Sequence, residues 1–223
     1  MLRYLFLTAC ILTNFVLLGQ TNYKETETMA FNLLVGYPSL PTQDDIDAKL
    51  IANNFTKLNN SPLTLGIEFA IAGKKSVGKV QFRGTSIFTS KKVQEMTNQS
   101  ASISFQYGYD LLPHAPKTYF YPFAGLRYFN WTIFGRSTTD KKLSAAKSNF
   151  DVLTGLGLKQ FLNNDLHGVF NNVDLTGGIS LPFTNGKWNG FDDTDASFIS
   201  GTMKNKMTYF ITLTIGRGFR PAN

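Results

Sequence analysis

After the first twenty or so residues, apolar side chains along this chain recur at every second position rather than every third or fourth. That spacing belongs to β-strands with two unlike faces. Met29, Phe31, Leu33, Val35 and Tyr37 alternate with Ala30, Asn32, Leu34 and Gly36. Leu63, Leu65, Ile67, Phe69 and Ile71 alternate with Thr64, Gly66, Glu68 and Ala70. A third run sets Val80, Phe82 and Phe88 against Lys79, Gln81, Arg83 and Thr85, and a fourth sets Ala101, Ile103, Phe105, Tyr107 and Tyr109 against Ser102, Ser104, Gln106, Gly108 and Asp110. The fifth, Thr118 to Trp131, is apolar on both faces, so its phase stays open, and Pro122 is a candidate bulge. The sixth places Phe150, Val152, Leu156 and Leu158 opposite Asp151, Gly155, Gly157 and Lys159. The seventh places Val173, Leu175, Ile179 and Leu181 opposite Asp174, Thr176, Gly178 and Ser180. The last runs from Met207 to Phe219 over Thr208, Thr212, Thr214, Gly216 and Gly218.

Most of these eight runs have the length a tilted strand needs to cross a hydrocarbon layer. The connections alternate. Gly73 to Ser76, Leu111 to Lys117 and Gln160 to Gly168 are short, whereas Pro38 to Ser61, Lys91 to Ser100, Thr132 to Ser148 and Thr184 to Lys206 are longer. An even strand number with long loops at one end and both termini at the other predicts an all-β fold, an eight-stranded antiparallel up-and-down transmembrane β-barrel. The first long loop carries its own signal. Thr42 is a candidate cap before Asp44 and Asp45, and Ile46, Leu50, Ile51, Phe55 and Leu58 follow at helical spacing. A short amphipathic helix is expected there, over the barrel mouth or at the lipid headgroups.

The chain starts differently. Met1-Leu2-Arg3 is positive, Tyr4 to Leu18 is apolar, and Gly19-Gln20-Thr21 leads into polar sequence. This is the order of a secretory signal, and the run is too short to span a bilayer. Residues 1–20 are therefore expected to be a signal peptide, residues 21–223 the barrel domain, and the destination the bacterial outer membrane. Cys10, the single cysteine, lies in the signal, where Leu7-Thr8-Ala9-Cys10 resembles a lipoprotein box with a short apolar core. Cleavage beyond it leaves no thiol chemistry.

Which face meets lipid follows from size and charge. An interior enclosed by eight strands is just wide enough for side chains and has no room for the aromatic face together with its aliphatics. The opposite face is mostly Gly, Ala, Ser and Thr, with a nearly balanced set of charges: Lys79, Arg83 and Lys159 against Glu68, Asp110, Asp151 and Asp174. These seven residues are the expected polar network of the lumen, since charges removed from water must pair. Tyr37, Tyr109, Trp131 and Tyr209 are candidates for interfacial girdles. A soluble periplasmic ligand-binding barrel, with the apolar face inward, is the competing arrangement.

The signal ending Leu18-Gly19-Gln20, the segment Tyr121 to Tyr128, Gly155-Leu156-Gly157-Leu158-Lys159 and the closing run Tyr209 to Phe219 together resemble the small outer-membrane β-barrel proteins of OmpA or OmpX plan, and more nearly those of Bacteroidota. That resemblance implies a cell-envelope protein assembled into the outer membrane by the barrel-assembly machinery. Members usually end on an aromatic residue. Here Phe219 is followed by Arg220-Pro221-Ala222-Asn223, so that insertion signal is displaced.

Composition adds little. The formal charge of +7 comes from scattered Lys and Arg without a basic helix, which argues against nucleic acid. Two histidines, His114 between Pro113 and Pro116 and His167, sit in expected turns without a Ser-His-Asp arrangement, so no enzyme, cofactor or metal centre is expected. Gly155-Leu156-Gly157 and Gly216-Arg217-Gly218 precede no helix and are not phosphate loops, and Asp192-Asp193-Thr194-Asp195 lacks the full calcium-loop pattern. Arg136, Lys141, Lys142 and Lys147 surround Asp140 in the third long loop and are candidate lipopolysaccharide contacts. The function expected is structural or surface-interacting, with the lumen plugged by polar side chains and lipid as the main partner. The alternative is a narrow pore or small-molecule transporter.

Overall fold

The computed structural model describes residues 27–38, 43–58, 63–91, 94–137, 139, 141–162, 170–184, 186–191, 197–200 and 206–219. The expected signal peptide, Thr42, Asp140, His167 and Asp192 to Asp195 lie outside them.

Eight antiparallel strands close into an up-and-down barrel: β1 (Thr28–Pro38), β2 (Thr64–Ala72), β3 (Ser76–Lys91), β4 (Gln94–Tyr109), β5 (Thr118–Arg136), β6 (Lys142–Phe161), β7 (Asn172–Pro182) and β9 (Thr208–Phe219). Each pairs with its chain neighbour, and the β1–β9 ladder closes the wall. A two-residue strand β8 (Asn189–Gly190) and the helices α1 (Gln43–Ala52) and α2 (Ser197–Ser200) lie in the connections.

The register fixes the shape of the cylinder. Pairing runs from Thr28 to Ala72, Val77, Gly108, Phe123, Gly155, Gly178 and Phe210, and then back to Pro38, so one circuit climbs ten residues along β1. Eight strands with that stagger tilt by roughly 40° from the barrel axis.

Strand phases agree with the alternation. Phe31, Leu33, Phe69, Phe105, Leu156 and Ile211 face outward, while Asn32, Glu68, Gln81, Gln106, Asp174 and Thr212 are buried inside. The fifth strand now has a phase: Tyr119, Tyr121, Phe123, Arg127, Phe129, Trp131 and Ile133 point inward. Pro122 makes no bulge, because the ladders on both sides of β5 keep constant register. It lies one residue past the last β4 pair, Gly108 with Phe123, so its missing N–H leaves no gap in the ladder.

Two expected long loops are strand instead. Lys91 ends β3 and Gln94 to Ser100 belong to β4, paired with it, and most of Thr132 to Ser148 belongs to β5 and β6. Their polar residues have the composition of a loop, yet they continue the ladder beyond the outward apolar zone, where Gln99, Asn130, Thr132 and Ser148 replace Phe105, Leu126 and Phe150 on the outer face. The sheet β3–β4–β5–β6 therefore rises above the rest of the wall. The β7 side of this extension is covered: Phe183 and Thr184 bond Phe150, β8 pairs with Ala145 and Ala146, and Phe191 bonds Ser144.

Against its inner face packs an apolar cap. Ile46 and Leu50 of α1, Phe55, Leu58, Met96, Trp131, Ile133, Leu143, Trp188 and Ile199 form one buried cluster. Helix α1 thus sits at the mouth, and it is shorter than its apolar spacing implied. Asn54 adopts φ 64°, and the amides of Asn54 and Phe55 reach back to the carbonyls of Ile51 and Leu50. That is a Schellman ending, with Phe55 folded onto Leu50. Ile51 is left exposed, and Trp131 is buried in the cap rather than standing in a girdle.

Both tryptophans of the chain, Trp131 and Trp188, meet in this cap with ring centroids 5.2 Å apart, so their emission reports on it specifically. Asn54→Ala should weaken the cap by about 1 kcal/mol, since Ala resists the left-handed conformation, while Asn54→Gly should leave it intact. In a urea titration followed by tryptophan emission, only the first should move the transition to lower urea.

Candidate functional site

The candidate site is the interior of the barrel, where strand alternation turns charged side chains away from the outer surface. Its centre is Asp174 on β7. Lys79 from β3 approaches its carboxylate at 2.6 Å, Lys159 from β6 at 3.9 Å, and the Tyr121 hydroxyl donates to both oxygens at 2.9 Å. Lys79 also lies 3.6 Å from Glu68 on β2. Glu68 in turn accepts from Asn32 at 2.7 Å, Gln81 at 2.6 Å and Thr214 at 3.2 Å. Lys159 donates to Asn172 at 3.1 Å. Six strands, β1, β2, β3, β5, β6 and β9, thus converge with β7 on two carboxylates, all of them buried.

A second group lies beside the first. Arg127 on β5 forks onto Asp151 on β6 at 2.5 and 3.0 Å, and Ser180 bridges the two. Gln81 accepts from Arg83, Ser104 and Gln106 through one oxygen.

The aromatic face points outward as expected, yet a few other rings do fit inside, and glycine is the reason. Tyr121 lies over Gly157, its partner on β6, and beside Gly108 on β4; a methyl group at either position would sit within the ring's van der Waals surface. Tyr119, Phe123, Phe161 and Phe210 pack around it, and Lys79 faces the Tyr121 ring at 5.1 Å. Small residues on β4 and β6 therefore make room for large ones on β5.

Six of the seven residues expected in the lumen network lie in this interior: Glu68, Lys79, Arg83, Asp151, Lys159 and Asp174. Asp110 stands apart at the short-turn end, where its carboxylate accepts the amides of Leu112 and Phe120. Arg127, Tyr121 and Gln81 are central and were not singled out. Arg127 and Tyr121 lie on the strand whose phase the sequence left open.

The basic loop cluster dissolves. Arg136 and Lys142 are cross-strand partners at the tip of the β5–β6 hairpin and Lys141 is exposed beside them, whereas Lys147 is buried on the inner face of β6. Lys147 is therefore not a rim contact, because the two-residue period of β6 turns it inward. His114 is exposed in the turn between β4 and β5. Among the described residues, no group of His, Cys, Asp and Glu is arranged to hold a metal ion.

No protein-family model and no curated protein matches this chain. Among solved structures, Ail, the attachment invasion locus protein of Yersinia pestis, in complex with the heparin analogue sucrose octasulfate, is similar at 12% identity and TM-score 0.48, over 87% of this chain and 99% of Ail. A major outer membrane protein from Thermus thermophilus is similar at 10% identity and TM-score 0.49, over 86% of this chain and 99% of its own. The outer membrane protein OprG from Pseudomonas aeruginosa is similar at 14% identity and TM-score 0.44, over 88% of this chain and 97% of its own.

The fit of Tyr121 against glycine is testable by a double-mutant cycle. Gly157→Ala should destabilise the barrel by about 1–3 kcal/mol through overpacking, and Tyr121→Ala should abolish that penalty, a strong non-additivity visible in urea unfolding. Asp174→Asn should cost about 3–5 kcal/mol, because it strands Lys79 in the interior.

Proposed function

We propose that this chain spans a bacterial outer membrane as a structural or surface-interacting barrel whose lumen is filled by its own paired side chains. The observation that carries this reading is an inverted polarity: ion pairs inside, a continuous apolar belt outside. Met29, Phe69, Phe105, Leu156, Leu175 and Ile211, from six different strands, are all more than a third exposed. Soluble domains tolerate apolar patches of only a few hundred Å². Here the apolar surface encircles the molecule.

The belt has the right height. On β9 it runs from Tyr209 to Phe219, which at the strand tilt spans roughly 24 Å along the axis, against about 25 Å for the lipid-facing band of such barrels. Tyr37, Tyr128 and Tyr209 at one border and Tyr107 and Tyr109 at the other are placed as interfacial anchors. Arg217, outward near the short-turn end, can carry its guanidinium to the headgroups along an apolar stem. The residues above the belt, Arg136, Lys141 and Lys142 among them, would then stand in the outer aqueous layer within reach of lipopolysaccharide phosphates.

The interior chemistry supports occlusion. Tyr119, Tyr121, Phe123 and Phe210 occupy the space between the walls, and Lys79 and Arg127 are tied to carboxylates from other strands. The apolar cap closes over the mouth. Such a lumen suits holding the wall in register better than passage, and the protein's business would lie in its cap, its raised sheet and the lipid around it, without catalysis.

The first test is the full chain expressed with its leader, fractionated, and run on a gel with and without boiling. Outer-membrane recovery, a heat-dependent mobility shift and no steady conductance in planar bilayers are expected; steady conductance would replace occlusion by a narrow pore. Leu213→Arg, mid-belt on β9, separates lipid from water outside: a cost of about 2–4 kcal/mol in vesicles is expected, and an unchanged stability would mean a soluble barrel.

A further inference from the structure

The inward charges do not cancel. Between the cap, where Lys147 stands opposite Trp131, and the short-turn end, where Lys117 and Asp110 lie, four cations, Lys79, Arg83, Arg127 and Lys159, face three carboxylates, Glu68, Asp151 and Asp174. The carboxylates are already claimed. Glu68 and Asp174 share Lys79 and Lys159, and Asp151 holds Arg127. The surplus charge falls on Arg83, which among the described residues has no carboxylate within 4 Å.

Arg83 is nonetheless 8% exposed. Of its five N–H donors, one reaches a protein acceptor, the Gln81 carbonyl, and that oxygen also serves Ser104 and Gln106. Its Nε has no partner at all. The Phe210 ring lies 5.7 Å from the guanidinium and offsets part of the lost hydration. A ring face carries no full charge, however, and a guanidinium withdrawn from water without a counter-charge is costly. The charges acting on it are Arg127, which repels it, and Glu68, which is saturated by Lys79, Gln81, Asn32 and Thr214.

We infer that Arg83 is the protein half of an anion site inside the barrel, taking one small monovalent anion of the halide class at the unused edge of its guanidinium, on the side where Nε is free. One negative charge there brings this central set of four cations and three carboxylates to neutrality and supplies acceptors for the free N–H groups. The same chemistry disfavours divalent oxyanions, which would overcharge the site. The inference does not depend on what surrounds the barrel, since it concerns only the inner face.

Bromide is the probe. Crystals of the purified barrel in detergent, grown in sodium bromide, should show an anomalous peak within hydrogen-bond distance of the Arg83 guanidinium, absent in Arg83→Gln crystals. In solution, the shift in midpoint of the heat-dependent gel mobility on going from sulfate to bromide at equal ionic strength should be about 2–4 °C more favourable in the wild type than in Arg83→Gln, with Arg83→Lys between them. A wild-type map with no inward peak, or peaks confined to outer-surface lysines, would overturn the site, as would an equal bromide response in Arg83→Gln. Should Arg83→Gln fail to fold, the wild-type map and the Arg83→Lys titration decide alone. A conducting barrel with the bromide peak in place would revise the occlusion and leave the site standing.

Discussion

An interior little wider than two facing side chains governs the rest of this molecule. Eight strands and a stagger of ten residues set that width, and everything turned inward must fit it and be satisfied within it. Tyr121 fits because Gly157 and Gly108 yield the volume of their missing side chains, and its hydroxyl reaches Asp174 across the lumen. The same narrowness brings Lys79 from β3 to 2.6 Å from a carboxylate on β7, four strands away around the wall. In a wider barrel these groups would be separated by water and their mutual attraction screened.

Crowding of this kind couples the wall to its filling. The Lys79–Asp174 ion pair and the Tyr121–Asp174 hydrogen bond tie together strands that share no backbone ladder and act as cross-braces, while Arg127 with Asp151 and Lys159 with Asp174 lock neighbouring strands in register. Buried pairs are poor sources of net stability but severe penalties against misregister: a slip of one residue on β7 would send Asp174 outward and strand two lysines. The polar filling thus selects one register among the many that the apolar outer face alone would tolerate.

Most of the wall was legible from alternation, since a strand facing two media records the difference at every second residue. Seven of the eight phases follow directly from runs such as Leu63 to Ile71 and Met207 to Phe219. The fifth did not, because β5 supplies the aromatic filling on its inner face and the apolar belt on its outer one. With its phase went Arg127 and Tyr121, two of the central residues of the interior. The raised sheet is hidden in the sequence for the opposite reason. Beyond Ile103 and Tyr128 the outer face of β4 and β5 turns polar, so strand and loop share one composition there. The helix at the mouth was visible, but its end was not: Asn53-Asn54 is the local signal, readable only by weighing asparagine's tolerance of positive φ against the apolar spacing that carries on to Phe55.

The seam between β1 and β9 joins residues near the start of the folded wall to its last twelve, with Met29 opposite Phe219. No segment emerging early in synthesis can therefore complete the cylinder. Until the final strand exists, β1 keeps an open edge beside a row of uncovered Phe, Leu and Val side chains, the combination most prone to pair with a stranger. The time between the appearance of the first strand and the last is thus the most hazardous interval in this protein's life, and its length is set by the whole sequence in between.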